Sequence, residues 1–357
     1  MSGHDSSHGC NAKLSSLTLH DVARAAGVSI KTVSRVLNNE RYVREDKRQR
    51  VQAAIERLHY RPNLAARSLS GTKSYLIAFL APLDAPAYVD QLLRGVLTSS
   101  QQAGYHLVVE FYDPTADDLV ARVQALCAST RLDGAVLAPG ICDSPDVIAL
   151  LDGLGIAHVS ISPREALASR YIYIDDVLAA HDMTCHLLAL GHRRIAFIGH
   201  RPGWRFAERR LEGFRLAMGY AGLQVPPELI VNGTFTFLSG QECARALLSA
   251  ETRPTALFAV NDDMAIGAVT AAYALGLSIP RDLSIAGFDD SPAALICWPQ
   301  LTTVRQPVQA MAATAAECVL QPQGGSVGQA GICLPFDIVV RGTTGKPATE
   351  EFGSAES

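Results

Sequence analysis

The sequence predicts a multidomain protein with an all-α helix–turn–helix head and an α/β body of two subdomains. Three observations lead to this prediction. The chain has 357 residues, which is too long for one ordinary domain. Short helical patterns separated by a glycine turn occupy the stretch from residue 18 to about 58. From residue 75 onward, strand-like apolar runs alternate with helix-length segments, which is typical of parallel α/β layers.

The net charge of −4 conceals a strong asymmetry along the chain. Residues 17–73 contain twelve Lys and Arg against five Asp and Glu, a net charge of +7, so residues 74–357 carry −11. A basic head on an acidic body is expected when the head alone meets phosphate. The alternative is a basic head that is only solvated.

The composition is that of a globular protein, with 48% hydrophobic residues. Eight cysteines are scattered without CxxC pairs, which predicts reduced thiols in a cytoplasmic protein. The sequence contains no apolar run long enough to cross a membrane. Residues 1–16 lack the apolar segment of a secretory signal, and we expect a disordered leader there. The alternative is a metal contact through His4, His8 and Cys10.

Three short helices are predicted in the head. Thr18 and Asp21 fit a capping box at the start of the first helix, and Gly27 ends it. Ser29 is suited to cap a second helix from Ile30 to about Leu37, and a third runs from about Lys47 to Leu58. This arrangement matches the helix–turn–helix unit.

The polar positions of the second helix predict that the head reads DNA. In this motif the beginning of the second helix faces base edges, where Lys or Arg can donate to guanine and an apolar side chain can meet a thymine methyl group. The residues at these positions are Ile30, Lys31, Ser34 and Arg35. Short polar side chains near helix ends suit phosphate oxygens; they are Thr18, Ser29, Thr32 and Asn38. The alternative is a helical hairpin for protein contacts.

A second, shorter helical segment follows the head. Asn63 can cap a turn and a half of helix over residues 64–69, which is too short to be stable alone in water. Ala65 and Ala66 would let two such helices approach closely, and Leu69 suits an apolar wedge in the minor groove. The alternative is a plain linker.

Seven apolar runs in the body predict buried strands, and their number predicts two parallel sheets with a site at the strands' carboxyl ends. The runs cover residues 75–80, 105–112, 134–139, 157–162, 194–199, 255–260 and 283–288. The sequence has no phosphate-loop, dinucleotide or HExxH motif. The GxSxG match at residues 324–328 lacks the flanking strand and helix of a nucleophile elbow. We therefore expect no enzyme, and no metal or cofactor.

Polar side chains of the kind that bind sugars follow two of these strands. Asn261, Asp262 and Asp263 come after one, and Asp289 and Asp290 after another. Arg210 is predicted to open the helix after GHRPGWRFAERR, and Phe235 could cover a sugar face. Helix capping alone could also explain the Asp and Asn residues.

The run DVARAAGVSIKTVSRVLN resembles the head of the lactose-repressor/galactose-repressor (LacI/GalR) family of bacterial transcription factors. The resemblance implies that Ile30 and Lys31 are the specificity pair and that Arg35 also reads the major groove. The residues implied to hold the DNA backbone are Thr18, Ser29, Thr32, Ser34, Asn38 and Tyr42. It also implies that hinge helices pair across a dimer, with DNA contacts from Asn63, Ala66 and Leu69. Arg44 departs from the Ser or Thr cap of many relatives.

The blocks RPTALFAVNDDMAIGA, SIAGFDDSP and PQLTTVRQP are similar to the family's effector-binding core. This resemblance implies the periplasmic sugar-binding-protein fold, with two subdomains joined by three crossings. It makes Arg210, Asn261 and Asp289 effector ligands. The implied pocket walls are Asp84, Tyr88, Ser162 and Phe235. The segment Asp84–Tyr88 departs from the family's commoner pattern.

The predicted domain boundaries follow from these assignments. The head covers 17–62, the hinge and linker 63–73, the effector domain 74–342 and a flexible tail 343–357. The first subdomain is predicted over about 74–174 and 306–333, and the second over about 175–303 and 334–342. The tail has no leucine heptads, which favours a homodimer over a coiled-coil tetramer.

The sequence thus predicts a dimeric transcriptional regulator that binds a palindromic DNA operator and responds to a small molecule. We expect a repressor. A sugar is the expected effector, and its binding is expected to change the angle between the subdomains and the separation of the hinges. A purine effector and an activating role stay open. Rival classes are a sugar-binding protein without DNA control and an enzyme acting on a sugar or nucleotide.

Overall fold

A computed structural model describes residues 17–37, 42–58, 60, 73–83, 86–165, 169–200, 204–321 and 331–348. The chain divides into two units, a head up to Ser74 and a body from Tyr75. No helix in these ranges is both long and apolar enough to cross a membrane.

The head contains three helices: α1 (Leu19–Ala26), α2 (Ile30–Leu37) and α3 (Glu45–Leu58). Val22, Val33 and Val51, one from each helix, are fully buried together in a small core. Helix α3 begins two residues earlier than predicted because the Arg44 carbonyl accepts the amides of Lys47 and Arg48. Glu45 and Asp46 in its first turn favour this start through the helix dipole.

The ends of α1 and α2 are set by local hydrogen bonds. The Asp21 carboxylate accepts from the Thr18 amide at 3.0 Å and from the Thr18 hydroxyl at 2.7 Å. Gly27 ends α1 with φ +63°, a left-handed conformation that glycine adopts without steric cost. The Ser29 hydroxyl accepts the Thr32 amide at 3.2 Å and so caps α2, as the sequence predicts.

The body contains two sheets, as predicted, and each has six strands. The first sheet has the strand order β11-β5-β4-β3-β1-β2, and the second has β12-β10-β9-β8-β6-β7. All neighbouring strands are parallel except β10 and β12, which pair antiparallel. The strands are β1 (Leu76–Pro82), β2 (His106–Tyr112), β3 (Gly134–Leu137), β4 (Ala157–Ile161), β5 (Tyr171–Tyr173), β6 (Ile195–His200), β7 (Ile230–Gly233), β8 (Ala256–Ala259), β9 (Ser284–Asp289), β10 (Thr302–Arg305), β11 (Ile332–Cys333) and β12 (Asp337–Val339).

Helices cover the sheets and explain why the strands read as continuous apolar runs, since both faces of a parallel sheet are buried. The body helices are α4 (Pro86–Gln102), α5 (Leu119–Ser129), α6 (Pro145–Gly153), α7 (Asp176–Ala189), α8 (Arg205–Tyr220), α9 (Phe237–Leu248), α10 (Asp262–Ala274), α11 (Pro292–Ile296) and α12 (Val308–Leu320). Five strands were not predicted from the apolar runs: β5, β7, β10, β11 and β12. Their sequences are two to three residues long or include polar residues, whereas the four-residue strands β3 and β8 are wholly apolar.

The chain passes between the two sheets three times in the body. It leaves the first sheet after β5, returns to it after β10, and leaves it again between β11 and β12. Helix α12 therefore packs on α4 and the first sheet although it follows a strand of the second. A site between the sheets is consequently built from segments far apart in sequence.

The predicted flexible tail begins too early. Thr343 is fully buried, and its hydroxyl accepts the Thr302 amide at 2.8 Å and donates to the Ile285 carbonyl at 2.7 Å. The Gly345 amide donates to the Ser284 hydroxyl at 3.0 Å. Residues up to 348 thus belong to the described body. The sequence did not predict this, because the hydrogen-bond partners of Thr343 and Gly345 lie about 40 to 60 residues away in the chain.

Candidate functional site

The first candidate site is the exposed face at the start of α2. Lys31 and Arg35 are exposed, and Ile30 retains 38% of its surface although it is apolar. An exposed isoleucine between polar residues suits contact with a thymine methyl group. Val33 and Val36 on the opposite face are buried and hold the helix against the head.

The predicted phosphate contacts differ in exposure. Thr18, Ser29 and the 98%-exposed Tyr42 lie at the surface, while Thr32 and Ser34 are half-buried. The Ser29 and Thr32 hydroxyls are 2.9 Å apart. The predicted DNA contacts Asn38, Asn63, Ala66 and Leu69 lie outside the described residues, so the hinge remains a prediction from sequence.

Two basic residues of the head have structural roles. Arg50 donates to the Ala26 carbonyl from Nε at 3.0 Å and from Nη2 at 2.7 Å, and to the Gly27 carbonyl at 2.8 Å. Arg57 donates to the Ala25 carbonyl at 3.3 Å. Both guanidinium groups stabilise the carboxyl end of α1, so the net charge of the head overstates the cations available to DNA.

The second candidate site is a cleft in the body at the carboxyl ends of the strands, enclosing about 380 Å³ and partly open to solvent. Six of the seven predicted effector residues line it: Tyr88, Ser162, Arg210, Phe235, Asn261 and Asp289. The seventh, Asp84, lies outside the described residues. The structure brings these side chains together, and their binding of an effector stays a prediction.

Arg210 is the centre of the polar network in this cleft. It lies in the second turn of α8, not at its first residue as predicted, because the helix begins at Arg205. Its Nε donates to Asp176 at 2.9 Å and its Nη1 donates to the Val260 carbonyl at 2.6 Å. Nη1 also lies 3.7 Å from the Asp289 carboxylate.

Burial governs the protonation of the carboxylates around Arg210. Asp289 is 9% exposed, and burial raises its pKa to about 7 against the opposing effects of Arg210 and of a hydrogen bond from Gln306. Burial likewise raises the pKa of Asp176, although Arg210 opposes the shift. The cleft therefore offers both a donor and a titratable acceptor to a ligand hydroxyl.

Asn261 has the helix-capping role that the sequence left open, and its binding of an effector stays a prediction. Its Oδ1 accepts the Met264 amide and caps α10, and its Nδ2 donates to the Phe235 carbonyl at 2.9 Å. Asn261 also lines the cleft. Tyr88, from the first subdomain, is hydrogen-bonded to the Ser162 side chain. Its burial raises the pKa of the phenol.

An aromatic wall forms one side of the cleft. Phe235 stacks on His200 with ring centroids 4.0 Å apart and on Phe206 at 5.4 Å. Trp204 meets the Phe235 ring edge-on at 5.6 Å. Sequence reasoning identified Phe235 alone; Phe206 and Pro139 also line the cleft. The aromatic pair Trp204 and Phe206, two residues apart, was the sequence signal that could have predicted this wall.

Three residues of the cleft adopt left-handed backbone conformations although none is glycine. These are Ser162 (φ +47°), Phe235 (φ +60°) and Asp289 (φ +115°). Such conformations cost free energy and concentrate at ligand sites. Their clustering here supports a binding role for the cleft.

Comparison with known proteins agrees with both sites. Residues 18–63 match the family of bacterial regulatory proteins called lacI, and residues 184–344 match the periplasmic binding protein-like domain. The regulator DegA of Bacillus subtilis is 34% identical, with 92% of this chain and 98% of DegA covered. The ribose operon repressor of Escherichia coli K12 is also 34% identical, with 85% and 92% covered. The chain belongs to the LacI family.

A solved LacI-family structure extends the comparison to three dimensions. The lac repressor dimer bound to operator and the anti-inducer ONPF superposes with a TM-score of 0.76 and 30% identity, covering 92% of this chain and 99% of that one. The predicted fold class is therefore confirmed. As a LacI-family member the protein is a DNA-binding transcriptional regulator, and the prediction of a regulator instead of an enzyme is confirmed by its relatives.

Proposed function

We propose that this LacI-family regulator is a repressor that binds a near-palindromic operator as a homodimer in the bacterial cytoplasm and is controlled by a sugar. The observation that carries the effector class is the cleft: a donor, Arg210, and an acceptor, Asp289, stand beside a stacked aromatic wall. Paired polar groups next to an aromatic face suit adjacent hydroxyls on a sugar ring. The relationship to a ribose operon repressor supports this choice.

Operator recognition is assigned to the head. Ile30, Lys31 and Arg35 are proposed to contact base edges, and Thr18, Ser29, Thr32, Ser34 and Tyr42 to contact phosphates. A dimer would present two such faces to two half-sites of the operator. The operator-bound dimer of the related lac repressor supports this arrangement.

Control is assigned to the cleft because both subdomains contribute to it. Tyr88 and Ser162 come from the first subdomain, and Arg210 and Asp289 from the second. A sugar held by both would favour one subdomain angle over another. A tenfold loss of operator affinity requires about 1.4 kcal/mol of differential effector binding between the two states.

The proposal is tested in two steps with the full-length protein. An operator is first selected from random duplex DNA, and its symmetry and stoichiometry are measured; a single asymmetric half-site bound by a monomer would contradict the dimer. A panel of neutral sugars and purine bases is then screened by thermal shift and by operator competition. Stabilisation by purines alone would reject the sugar effector while retaining the regulator.

A further inference from the structure

We propose that a side cleft adjoining the effector pocket is an anion-binding subsite for the phosphate or carboxylate group of an acidic sugar. The side cleft shares Ser162 and Phe206 with the pocket as walls and encloses about 750 Å³, including space open to solvent. The inference rests on the proposed function, because it specifies the class of sugar that the pocket accepts.

The side cleft contains an excess of arginine. Arg164 comes from the segment after β4, and Arg205 and Arg209 come from the first turns of α8. Arginine is the residue best suited to phosphate and carboxylate groups because its planar donors pair with two oxygens at once. The carboxylates that line the same cleft are Asp176 and Glu165.

The partners of these arginines identify which of them are available to a ligand. Arg209 lies 3.4 Å from Asp175, and the buried Asp176 is paired with Arg210 at 2.9 Å. Arg164 and Arg205 are both exposed, and neither guanidinium group forms an ion pair within 4 Å among the described residues. The Asp143 carboxylate accepts the main-chain amide of Arg164 and lies near its charge. The exposed Glu165 is the remaining acidic side chain in the lining.

Two further features of the side cleft favour an anion on a sugar. Helix α8 begins at Arg205 with no side chain capping its first amides, so the positive end of the helix dipole lies at Arg205. Tyr171 and Tyr173 line the same space with ring centroids 5.5 Å apart, and so add aromatic surface to the side cleft.

The opposite end of the pocket is acidic and would orient such a ligand. Asp262, Asp263 and Asp289 line the space beyond Tyr88. No Lys or Arg is among the described residues that line this space, so an anionic substituent is favoured near Arg164 and Arg205 instead. The two ends therefore select one orientation of an acidic sugar in the pocket.

The test compares matched neutral and acidic sugars on the full-length protein at constant ionic strength. The probes are glucose, glucose 6-phosphate and glucuronate; galactose and galacturonate; ribose and ribose 5-phosphate; and inorganic phosphate alone. Affinity is measured by calorimetry for the wild type, Arg205→Gln and Arg164→Gln. Arg215→Gln is the control, because Arg215 is exposed on the same helix but does not line the side cleft.

We expect at least one acidic sugar to bind more tightly than its neutral partner, and Arg205→Gln and Arg164→Gln each to weaken that acidic sugar about tenfold. The neutral sugar should bind these variants and wild type equally. An equal loss in Arg215→Gln, or neutral sugars binding at least as tightly as every acidic one, would overturn the subsite. Inorganic phosphate binding as tightly as the sugar phosphate would overturn its link to a sugar.

Operator binding distinguishes the two proposals. If the subsite is wrong, the selected operator is still bound and still released by a neutral effector. If the proposed function is wrong, no operator is found, whereas the ranking of acidic and neutral sugars is unaffected.

Discussion

At the level of single residues, side chains with similar chemistry have different roles that depend on their partners. Arg50 is held by main-chain carbonyl groups of the head, Arg210 by buried carboxylates, and Arg205 is exposed beside a cleft. Arg210 is buried and must therefore be paired. Arg50 and Arg205 are both exposed and differ because main-chain carbonyl groups lie within reach of Arg50.

Lys31→Ala and Thr32→Ala should affect DNA binding differently. Lys31 is exposed on the face of α2 that is proposed to read bases, so its loss should reduce discrimination between operator and random DNA by ~1–3 kcal/mol. Thr32→Ala should weaken operator and random DNA alike. Fluorescence anisotropy with both duplexes measures the ratio of the affinity for operator to that for random DNA. If both variants lost affinity equally for operator and for random DNA, the assignment of Lys31 would be contradicted.

Arg210→Ala should abolish the effector response and also reduce stability. The substitution leaves Asp176 and Asp289 buried without their cation, which costs about 3–5 kcal/mol in comparable cases. Arg215→Ala, at an exposed position of the same helix, should change neither property. Urea unfolding and operator release by the identified effector are measured together; a normal effector response in Arg210→Ala would make Arg210 purely structural.

At the level of elements, long-range hydrogen bonds join the segment after β12 to the second sheet. His192 Nε2 lies 2.9 Å from the Gly345 carbonyl and 3.0 Å from the Ser284 hydroxyl, and Nδ1 lies 2.9 Å from the Thr255 hydroxyl. His192 is almost fully buried. One imidazole thus connects three separate segments.

This connection should weaken in acid. Burial lowers the pKa of His192 below its ordinary 6.5, so below that pH the unfolded chain binds a proton that the folded chain resists. Its contribution to stability should therefore be present above about pH 6.5 and decline as the pH falls below it. Asp289, whose pKa is raised, contributes a pH dependence of stability with the opposite sign. The contribution of His192 is therefore isolated as the difference in melting temperature between wild type and His192→Gln.

The expected result is a gap in melting temperature between wild type and His192→Gln that is largest at pH 7.5 and narrows toward pH 5. A gap independent of pH would show that His192 acts only through packing. A Thr314→Val substitution is a suitable control because Thr314 is half-buried on α12 and its hydroxyl donates to the Ala310 carbonyl of the same helix.

At the level of the whole molecule, one aromatic side chain bridges the two subdomains beside the pocket. Trp204 precedes α8 in the second subdomain, and its ring packs on Gly140, which follows β3 in the first. A Cβ atom on Gly140 would lie 3.1 Å from the Trp204 ring, and Gly140 has φ +86°. The fit between subdomains at this point depends on the absence of a side chain.

Gly140→Ala should hold the subdomains slightly apart, lower effector affinity and shift the Trp204 emission to longer wavelength. The chain's other tryptophan, Trp298, is 82% exposed, so the measurement is made in a Trp298→Phe background. Gly155→Ala is the matched control: its φ is +67° and a Cβ there meets nothing within 4 Å. Equal effects of the two substitutions would assign the change to backbone strain alone.

The predictions from sequence succeeded where the signal was local. The capping of α1 and α2 depends on residues three apart, and the buried strands correspond to unbroken apolar runs. Both could therefore be predicted from the sequence. The start of α8, by contrast, was placed five residues late, at Arg210, because the polar first turn of this helix resembles the loop that precedes it.

The sequence by itself determined the LacI-family head, the α/β class of the body and six side chains that meet in the described pocket. Only the tertiary structure decided that Arg210 is shared between Asp176 and Asp289, that Trp204 reaches Gly140, and that Thr343 is buried. The reason is physical: helix caps and strand hydrophobicity are set by neighbours in the chain, whereas these contacts join segments brought together by three crossings between two sheets.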